Sequence, residues 1–281
     1  MINVSIVTYH TPVNDLLNAV STCALSPLVC NIYVIDNSPV NTLENHIRDI
    51  AKVSFLHNPS NPGYGAAHNI AIRHTLNERI PFHLVLNADV IFDFHILKGM
   101  LDSFRANKMI GLVAPKMLFE DGTVQCSRKL LPTPANMFLR AFLPKKFRSR
   151  IDSKFQIESI ESDRSIFVPY VSGAFMLFKA STLGKIGIFD ETFFMYPEDI
   201  DLSRRVAESH RVQFIPEFVI THKYGGATRT SLKMFVIHAY NMCLYFNKWG
   251  WIFDKNRYEL NRDTLTQDDS RYLRNGDSYD R

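Results

Sequence analysis

The chain has few cysteines, and none of them has the spacing that a disulfide framework or a metal site requires. Four occur among 281 residues, and no two are separated by only two residues. A cysteine-ligated zinc site or a disulfide-stapled fold therefore has no support in the sequence. We interpret Cys23, Cys30, Cys126 and Cys243 as reduced, mostly buried thiols, which are typical of a cytosolic protein.

A purely apolar run of about 18 residues or more, the length of a transmembrane helix, is also absent. The nearest approach, residues 234–253, is interrupted by a histidine, two asparagines and a lysine. A helix that packs on the core is the first interpretation of this stretch. An interfacial helix is the alternative, because Trp and Tyr favour the depth of lipid headgroups. Residues 1–15 show no basic segment and no cleavable apolar stretch, so we expect neither a targeting segment nor a spanning helix.

The chain has no strong excess of one charge sign. Its net charge is +4 and its pI is about 8.8. This balance fits anionic small molecules or a membrane surface, and it is too weak to indicate nucleic acid. Hydrophobic residues make up 46% and charged residues 21%, which excludes a disordered or fibrous chain. At about 150 residues per domain, the length allows two domains or one large α/β domain.

Apolar runs alternate with helical periodicity through the first half of the chain. We predict helices at 13–25 and 40–52, a third that ends near residue 78 and a fourth that ends near residue 107. The predicted strands are 2–8, 30–37, 53–58, 81–90 and 110–119. This alternation favours an α/β fold with a parallel, doubly wound sheet. The dipeptide Asp121-Gly122 predicts a hairpin after the fifth strand.

The second half is less regular. Residues 167–180 predict one strand or two strands joined by a bend, and a strand pair is expected around 212–225. Residues 137–150 mix phenylalanines and leucines with five basic residues. A solvated loop is the first interpretation of that run, and contact with a membrane surface is the alternative. Residues 254–281 contain 13 charged residues and no Val, Ile or Phe, so we expect a polar, flexible tail.

Polar and small residues follow four of the predicted strands. The carboxyl ends of parallel strands meet at one edge of a sheet, where ligands bind. Together these strand ends predict a small-molecule site. The sequence contains no GxGxxG after the first strand and no GxxxxGK[ST]. A nicotinamide oxidoreductase or a P-loop enzyme is therefore poorly supported.

Two aspartates at strand ends have specific interpretations. Asp36 suits an acceptor for a ribose or base N–H group, and it suits a turn carboxylate that caps the next helix equally well. Asp89 offers the oxygen ligand that Mg²⁺ and Mn²⁺ prefer. A single carboxylate would hold such an ion weakly. If the ligand at these strand ends is a nucleotide, we expect the metal to arrive with it.

Three acids follow Pro197, namely Glu198, Asp199 and Asp201. They match the start of a helix, where negative charge complements the dipole. An alternative is a general base at the edge of a cleft. His222 ends an apolar strand and precedes a basic, glycine-rich segment, which fits a structural histidine or one that contacts metal or phosphate.

The ordered motifs along the chain resemble those of GT-A-fold glycosyltransferases of family 2. The pattern is most similar to the rhamnosyltransferase-like members of bacterial cell-surface polysaccharide synthesis. The resemblance extends from about Asn3 to about Trp251. It rests on the segments VSIVTYH, VIDNS, NPGYGAAHN, LNADV, VSGAFMLFKAS, GIFDETFFMYPEDIDLSRRV and THKYGGATRTS.

The resemblance implies a nucleotide site made by residues of the first half. Thr8 and Tyr9 would border the base, and Asp36 would accept from a pyrimidine ring. Residues implied to lie beside the nucleotide are Asn61, Gly63, Tyr64, Asn69, Asn87 and Asp89. Asn87-Ala88-Asp89 stands where the family has a DxD motif, with Asn87 in place of the first aspartate.

The resemblance also implies the chemistry. Asp199 would be the catalytic base, with Glu198 beside it, and Gly173 and Ala174 would line the donor and acceptor pockets. Mg²⁺ or Mn²⁺ would be held at Asp89 and His222, two residues that match metal or diphosphate contacts of the family. The implied fold is a mixed, mostly parallel sheet flanked by helices, with a C-terminal helical extension.

The implied activity is inverting transfer of a sugar from a nucleoside diphosphate. The expected donor is dTDP-rhamnose, with uridine-diphosphate sugars second, and the expected acceptor is a saccharide or a lipid-linked saccharide. We expect a cytoplasmic enzyme, with peripheral contact to the inner membrane as a further expectation. Alternatives are a non-catalytic nucleotide-sugar-binding module and a membrane-docked scaffold of the same fold.

The expected organisation is a catalytic domain at 1–230, whose nucleotide half ends near residue 125 and whose acceptor half begins near residue 126. An aromatic helix follows at 231–253, and the flexible tail follows at 254–281.

Overall fold

The structure is a computed structural model that describes residues 1–137, 155, 157, 164–223 and 232–267. Its strands are β1 (Ile2–Thr8), β2 (Val29–Asp36), β3 (Val53–His57), β4 (Phe82–Asn87), β5 (Val90–Ile91), β6 (Ile110–Leu118), β7 (Val124–Gln125), β8 (Arg128–Lys129), β9 (Ile166–Phe167), β10 (Tyr170–Val171), β11 (Phe175–Lys179) and β12 (Arg211–His222). Its helices are α1 (Val13–Leu25), α2 (Glu44–Ile47), α3 (Tyr64–Asn77), α4 (Ile96–Ala106), α5 (Ala180–Ile186), α6 (Glu198–Ser209), α7 (Leu232–Trp249) and α8 (Lys255–Leu265).

Ten of these strands form one mixed, mostly parallel sheet. Eight follow the order β3-β2-β1-β4-β11-β6-β12-β5, while β7 pairs with β6 and β9 pairs with β12. Strands β3, β2, β1 and β4 are mutually parallel, as the alternation of strands and helices predicted. Strand β11 lies between β4 and β6 and is antiparallel to both. The sheet is therefore doubly wound in its first half and mixed beyond β4.

Helices cover both faces of the sheet, which explains why its central strands are continuous apolar runs. Leu84 and Leu86 of β4 face a core that α1 and α4 complete. Val85, which points to the other face, packs in a second core with residues of α3, α5 and α6. In α1 the buried residues Leu16, Ala19, Val20 and Cys23 recur at the helical period, so this helix forms as the sequence predicted.

Helix α2 is much shorter than the predicted 40–52. It runs only from Glu44 to Ile47 and buries one residue, Ile47. The side chain of Asn41 explains the late start, because its Oδ1 accepts a hydrogen bond from the backbone N–H of Glu44 at 3.2 Å. Such a side-chain acceptor satisfies a free donor of the first turn and fixes where a helix begins.

The expected strand pair around 212–225 is one long strand as far as the structure describes it. Strand β12 runs parallel to β6, with its register shifted between Ile215 and Val219. Pro216 lies in that interval and has no N–H to donate to a ladder. The predicted strand or strand pair at 167–180 is divided among β9, β10 and β11.

The expectation of a loose tail at 254–281 is wrong for the part that the structure describes, because residues 255–265 form α8. Asp254 accepts a hydrogen bond from the N–H of Arg257 at the start of this helix. Its carboxylate also contacts the Arg204 guanidinium of α6 at 2.6 Å, with both side chains almost fully buried. Composition alone missed this helix, since its anchor is a long-range ion pair. Residues 268–281 lie outside the described residues, as do 138–150 and 224–231.

Helix α7 packs through Met242, Tyr245 and Phe246 in a third core with Phe193 and Ile200. No helix in the described part of the chain is both long and apolar enough to cross a membrane. The division into catalytic domain and aromatic helix remains a prediction.

Candidate active site

A cavity of about 1170 Å³ opens at the carboxyl ends of β1 and β4. Its wall on this side includes the sequence-predicted residues Thr8, Tyr9, Asn61, Tyr64, Asn87 and Asp89. The rest of the wall includes Thr192, Phe194, Met195 and residues of α7. The cavity is large enough for a nucleotide sugar, since ligand sites of this kind fall within about 300–1000 Å³.

Asp36 lies immediately behind the cavity wall. Its side chain is fully buried, and its Oδ1 accepts hydrogen bonds from the hydroxyls of Thr8 at 3.0 Å and Ser38 at 2.7 Å. Its Oδ2 is buried without a partner among the described residues. Asp36 is not a cap of α2, because Asn41 performs that function. A buried carboxylate oxygen without a donor points to a donor from outside the chain.

The loop before α3 is held against residue 194. Gly63 has φ of 105°, and a Cβ added there would lie 2.2 Å from the carbonyl oxygen of Phe194. Only glycine can adopt this positive φ and also leave room for the carbonyl oxygen of Phe194. The backbone N–H of Tyr64 donates to that same carbonyl oxygen at 2.9 Å. These contacts fix Asn61 and Tyr64 on the cavity wall.

Asn69 departs from the sequence expectation. It is fully buried on α3 and is not part of the cavity wall. Its Nδ2 donates to the carbonyl oxygen of Phe189 and to Glu191, and its Oδ1 accepts from the N–H of Phe189. The resemblance placed Asn69 beside the nucleotide. In the structure Asn69 instead connects α3 to Phe189 and Glu191, in the segment that precedes α6. The sequence could not distinguish these roles, because the partners lie some 120 residues away.

Asn87, Asp89 and His222 meet at the end of β4. Strand β5 pairs with the end of β12, so that His222 lies opposite Val90. His222 Nε2 is 3.3 Å from Asp89 Oδ1 and 3.3 Å from Asn87 Nδ2. The sequence named all three residues, and the fold brings them together.

His222 has a side-chain partner on its other ring nitrogen as well. Its Nδ1 lies 3.0 Å from Gln125 Oε1, a carbonyl acceptor. Histidines that bind a metal through one ring nitrogen commonly contact such an acceptor through the other. An imidazole nitrogen and a carboxylate oxygen 3.3 Å apart fit a divalent cation between them. Among the described residues no cluster of three or more His, Cys, Asp or Glu side chains could hold a metal, so this pair must share the ion with other ligands.

The side chain and the backbone of Asn87 both have hydrogen-bond partners. Its Oδ1 is 2.9 Å from the hydroxyl of Tyr64, and this hydroxyl is also 2.9 Å from the carbonyl oxygen of Gly173. Asn87 N–H donates to the carbonyl oxygen of Ala174 at 2.9 Å. Burial, together with the charges of three nearby carboxylates, raises the pKa of Tyr64 well above its usual value, so Tyr64 is a neutral link at this point.

Asp199 is held by donors at the first turn of α6. Its Oδ2 accepts from the N–H of Gly173 at 3.0 Å and the hydroxyl of Tyr170 at 3.3 Å, and its Oδ1 accepts from the N–H of Ile200 at 2.8 Å. A Cβ on Gly173 would approach Asp199 Cβ to 3.3 Å. Burial raises the pKa of Asp199, while these donors and Lys129 oppose the rise.

Glu198 differs from its neighbour. Burial, reinforced by the charge of Asp199, raises the pKa of Glu198 to about 8. Its Oε2 is buried with no partner among the described residues. Because the donors surround Asp199, the shared proton resides on Glu198 at neutral pH and the negative charge resides on Asp199.

Asp201, the third acid, has a structural position. It is fully buried and contacts Arg205 at 2.9 Å and Lys248 at 2.7 Å. It also accepts from Trp249 Nε1 at 2.8 Å. These contacts join α6 to α7.

The acid pair does not line the cavity directly. It connects to the cavity wall through Gly173, whose N–H contacts Asp199 and whose carbonyl oxygen contacts Tyr64. Sequence reasoning missed Tyr170 and Gln125, since their contacts with Asp199 and His222 join residues far apart in the chain. It also missed Lys223, which lines the cavity and pairs with Asp15 at 2.9 Å.

The fold is that of the GT-A glycosyltransferases. The structure of GalNAc-T7 with UDP, GalNAc and Mn²⁺ matches with a TM-score of 0.57 at 14% identity, covering 79% of this chain and 43% of that one. The mannosyltransferase PcManGT from Pyrobaculum calidifontis, in complex with GDP-Man and Mn²⁺, matches with a TM-score of 0.54 at 15% identity. This match covers 80% of this chain and 57% of that one.

The chain belongs to glycosyl transferase family 2, whose domain matches residues 4–186, and it is a glycosyltransferase. N-acetylglucosaminyl-diphospho-decaprenol L-rhamnosyltransferase of Mycobacterium tuberculosis (strain CDC 1551 / Oshkosh) is 26% identical over 211 residues, 70% of this chain and 68% of that protein. Rhamnosyltransferase WbbL of Escherichia coli (strain K12) is 27% identical over 168 residues, which are 57% of this chain and 60% of that protein. Glu198, Asp199 and His222 lie beyond the matched family domain.

Proposed function

We propose that this glycosyltransferase moves rhamnose from dTDP-rhamnose to a hydroxyl of a saccharide or lipid-linked saccharide, with inversion at the transferred carbon. Two relatives are named as rhamnosyltransferases, which supports the choice of sugar. One observation carries the mechanism. The Asp89–His222 corner and the Asp199 carboxylate lie at two ends of one hydrogen-bonded link through Tyr64 and Gly173.

The nucleotide would occupy the wall made by the ends of β1 and β4. Tyr9, half exposed at the cavity, would stack on the base. The unpartnered Oδ2 of Asp36 would accept from the N–H of a pyrimidine ring. Asn61 and Tyr64 would bind along the sugar and phosphates. A buried acceptor that gains its missing donor contributes to both affinity and base selectivity.

The diphosphate would lie at the Asp89–His222 corner. Asp89 Oδ1 and His222 Nε2 would hold Mg²⁺ or Mn²⁺ together with the phosphate oxygens, an arrangement typical of ions shared with substrate. The bound cation supplies stabilisation of the charge that develops on the leaving diphosphate. Lys223 on the same wall adds positive charge.

Asp199 would be the general base. It takes the proton from the acceptor hydroxyl while the hydroxyl oxygen forms a bond to the anomeric carbon and the bond from that carbon to the diphosphate breaks. The donors on Asp199 orient its carboxylate for this step and oppose the rise in its pKa that burial causes. Glu198, which carries a proton at pH 7, adds no competing charge.

The acceptor would enter beside α7. This helix contributes Met234, Ile237, Tyr240 and Asn241 to the cavity wall, a largely apolar and aromatic surface. Sugar rings and the first units of a lipid fit such a surface. One relative is named for an N-acetylglucosaminyl-diphospho-decaprenol acceptor, and we propose a lipid-linked saccharide of that general class here.

The substitution Asp199→Asn tests this assignment. Loss of the general base should lower turnover of dTDP-rhamnose by about 10²–10⁴-fold, while calorimetric binding of dTDP with Mn²⁺ stays unchanged. Asp121→Asn, at an exposed hairpin carboxylate, is the control and should retain full turnover. Unchanged turnover in Asp199→Asn would refute the assignment. Binding of dTDP by the native chain without any transfer would indicate a nucleotide-sugar-binding module instead.

A further inference from the structure

One face of helix α7 is apolar and has no partner among the described residues. The opposite face packs in the core through Met242, Tyr245 and Phe246. The outward face carries exposed side chains at helical spacing, which places them along one stripe. They are Leu232, Phe235, Val236, Ala239, Tyr240 and Cys243. Phe235, Val236 and Tyr240 are half exposed or more, which is unusual for large apolar residues so close together.

The stripe continues past the end of the helix. Trp251 Nε1 donates to Asn247 Oδ1 at 2.8 Å, and Asn247 lies one helical turn beyond Cys243. The Trp251 ring packs against Phe246, with ring centroids 5.3 Å apart, and 44% of its surface stays exposed. Ile252 and Phe253 follow, with 80% and 94% of their surfaces exposed. We call the residues Leu232, Phe235, Val236, Tyr240, Trp251, Ile252 and Phe253 the aromatic stripe.

The charged residues within 232–253 are lysines. This segment contains no Asp or Glu. Lys233 is exposed at the first turn, whereas Lys255, which follows the stripe, pairs with Glu259 at 3.7 Å. Exposed aromatic and aliphatic side chains with an adjoining lysine and no acid in the same segment are typical of a helix that lies in the headgroup region of an anionic bilayer.

The stripe also borders the cavity. Val236 and Tyr240 belong both to the exposed stripe and to the cavity wall. At 1.5 Å per residue the helix is about 27 Å long, so a bilayer against the stripe would lie along the rim of the cavity. If the acceptor is lipid-linked, as the proposed function holds, its saccharide could enter the cavity while its lipid stays in the bilayer.

We propose that α7 and residues 251–253 form a docking surface for an anionic lipid bilayer. Apolar side chains of the stripe enter the headgroup region, and Lys233 contacts lipid phosphates. The interaction depends on the stripe and not on the nucleotide site, so it can be measured without donor or acceptor.

Vesicle flotation of the full chain tests the docking surface. The wild-type chain should float with vesicles of phosphatidylglycerol and phosphatidylethanolamine, and more weakly with pure phosphatidylcholine or in 0.5 M salt. The triple variant Phe235→Gln, Ile252→Gln, Phe253→Gln should bind the anionic vesicles about tenfold or more weakly, because burial of several apolar side chains is lost. None of these three residues lines the cavity.

A matched control removes three apolar side chains that are exposed elsewhere, Leu25, Leu56 and Met109. The variant Leu25→Gln, Leu56→Gln, Met109→Gln should float like the wild type. The single variant Phe253→Gln changes a side chain with 94% of its surface exposed, so we expect it to fold like the wild type. Calorimetric binding of dTDP with Mn²⁺ should be equal in all variants, which separates docking from the nucleotide site.

Three outcomes would overturn the proposal. The wild type could fail to float with anionic vesicles, or the stripe variant could float as well as the wild type. The third is self-association, in which ultracentrifugation shows a wild-type dimer that the stripe variant dissolves while vesicle binding is absent. That result would assign the stripe to a second copy of the chain. None of the three would bear on sugar transfer, which the Asp199 variant tests separately.

Discussion

The two adjacent acids Glu198 and Asp199 have different proton affinities because they have different partners. Three donors face Asp199, whereas Glu198 Oε2 is buried without a partner among the described residues. The proton of the pair therefore sits on Glu198, whose pKa burial raises to about 8. The sequence identified both residues, but it could not assign the proton, since the donors come from Tyr170 and Gly173.

Glu198→Gln tests this asymmetry at the scale of one residue. Glutamine is a neutral replacement for a protonated glutamate, so turnover at pH 7 should stay within about tenfold of wild type. In the wild type the unfolded chain loses the Glu198 proton near the ordinary glutamate pKa of 4.5, whereas burial in the folded chain raises this pKa to about 8. Unfolding free energy attributable to Glu198 therefore falls as pH rises between these values.

The measurement is urea unfolding at pH 5 and pH 8. The stability of Glu198→Gln relative to wild type should be greater at pH 8, and Glu217→Gln, at an exposed carboxylate, should show no such gain. A Glu198→Gln variant as inactive as Asp199→Asn would contradict the assignment of the proton, because it would mean that the charge of Glu198 is required.

At the scale of secondary-structure elements, helix α8 depends on one buried ion pair. Asp254 caps α8 and contacts Arg204 of α6, with 3% and 1% of the two side chains exposed. Asn261 of α8 also exchanges hydrogen bonds with the backbone of Leu131 at 2.8 and 3.0 Å. These contacts therefore hold α8 against α6 and against the segment that contains Leu131.

Asp254→Ala should destabilise the chain by about 3–5 kcal/mol, because the buried Arg204 guanidinium loses its two hydrogen bonds to Asp254 and keeps the contact with Glu208. The matched control is Asp263→Ala on the same helix, whose pair with Arg262 is half exposed, and its cost should be within about 1 kcal/mol. Guanidinium unfolding followed by circular dichroism measures both. Equal stability of the two variants would show that the buried pair does not hold α8 in place.

Elements formed by local pattern could be predicted from the sequence, and elements formed by distant contacts could not. The boundaries of β1 and α1 follow from apolar run and helical period, and the structure confirms them. Helix α8 has a polar sequence whose stability comes from Arg204, fifty residues earlier. The short α2 reflects a cap by Asn41 that the periodicity of 40–52 does not reveal.

At the scale of the whole molecule, the sheet order brings residues far apart in the chain to one cavity. Strand β5 pairs with the end of β12, so that Asp89 and His222 meet although 133 residues separate them. Their approach could be expected only from the resemblance of ordered motifs, which supplied the fold. The Asp121-Gly122 dipeptide predicted the hairpin of β6 and β7 that carries Gln125, but the contact of Gln125 with His222, 97 residues away, had no signal in the sequence.

The most direct test of the account is anomalous diffraction from a crystal soaked with dTDP-rhamnose and Mn²⁺. We expect a manganese peak bonded to Asp89 and His222, with the diphosphate on the same ion and the anomeric carbon of the sugar facing Asp199. A manganese peak away from this pair, or a sugar turned away from Asp199, would contradict the central claim that Asp199 acts on a sugar held at the Asp89–His222 corner.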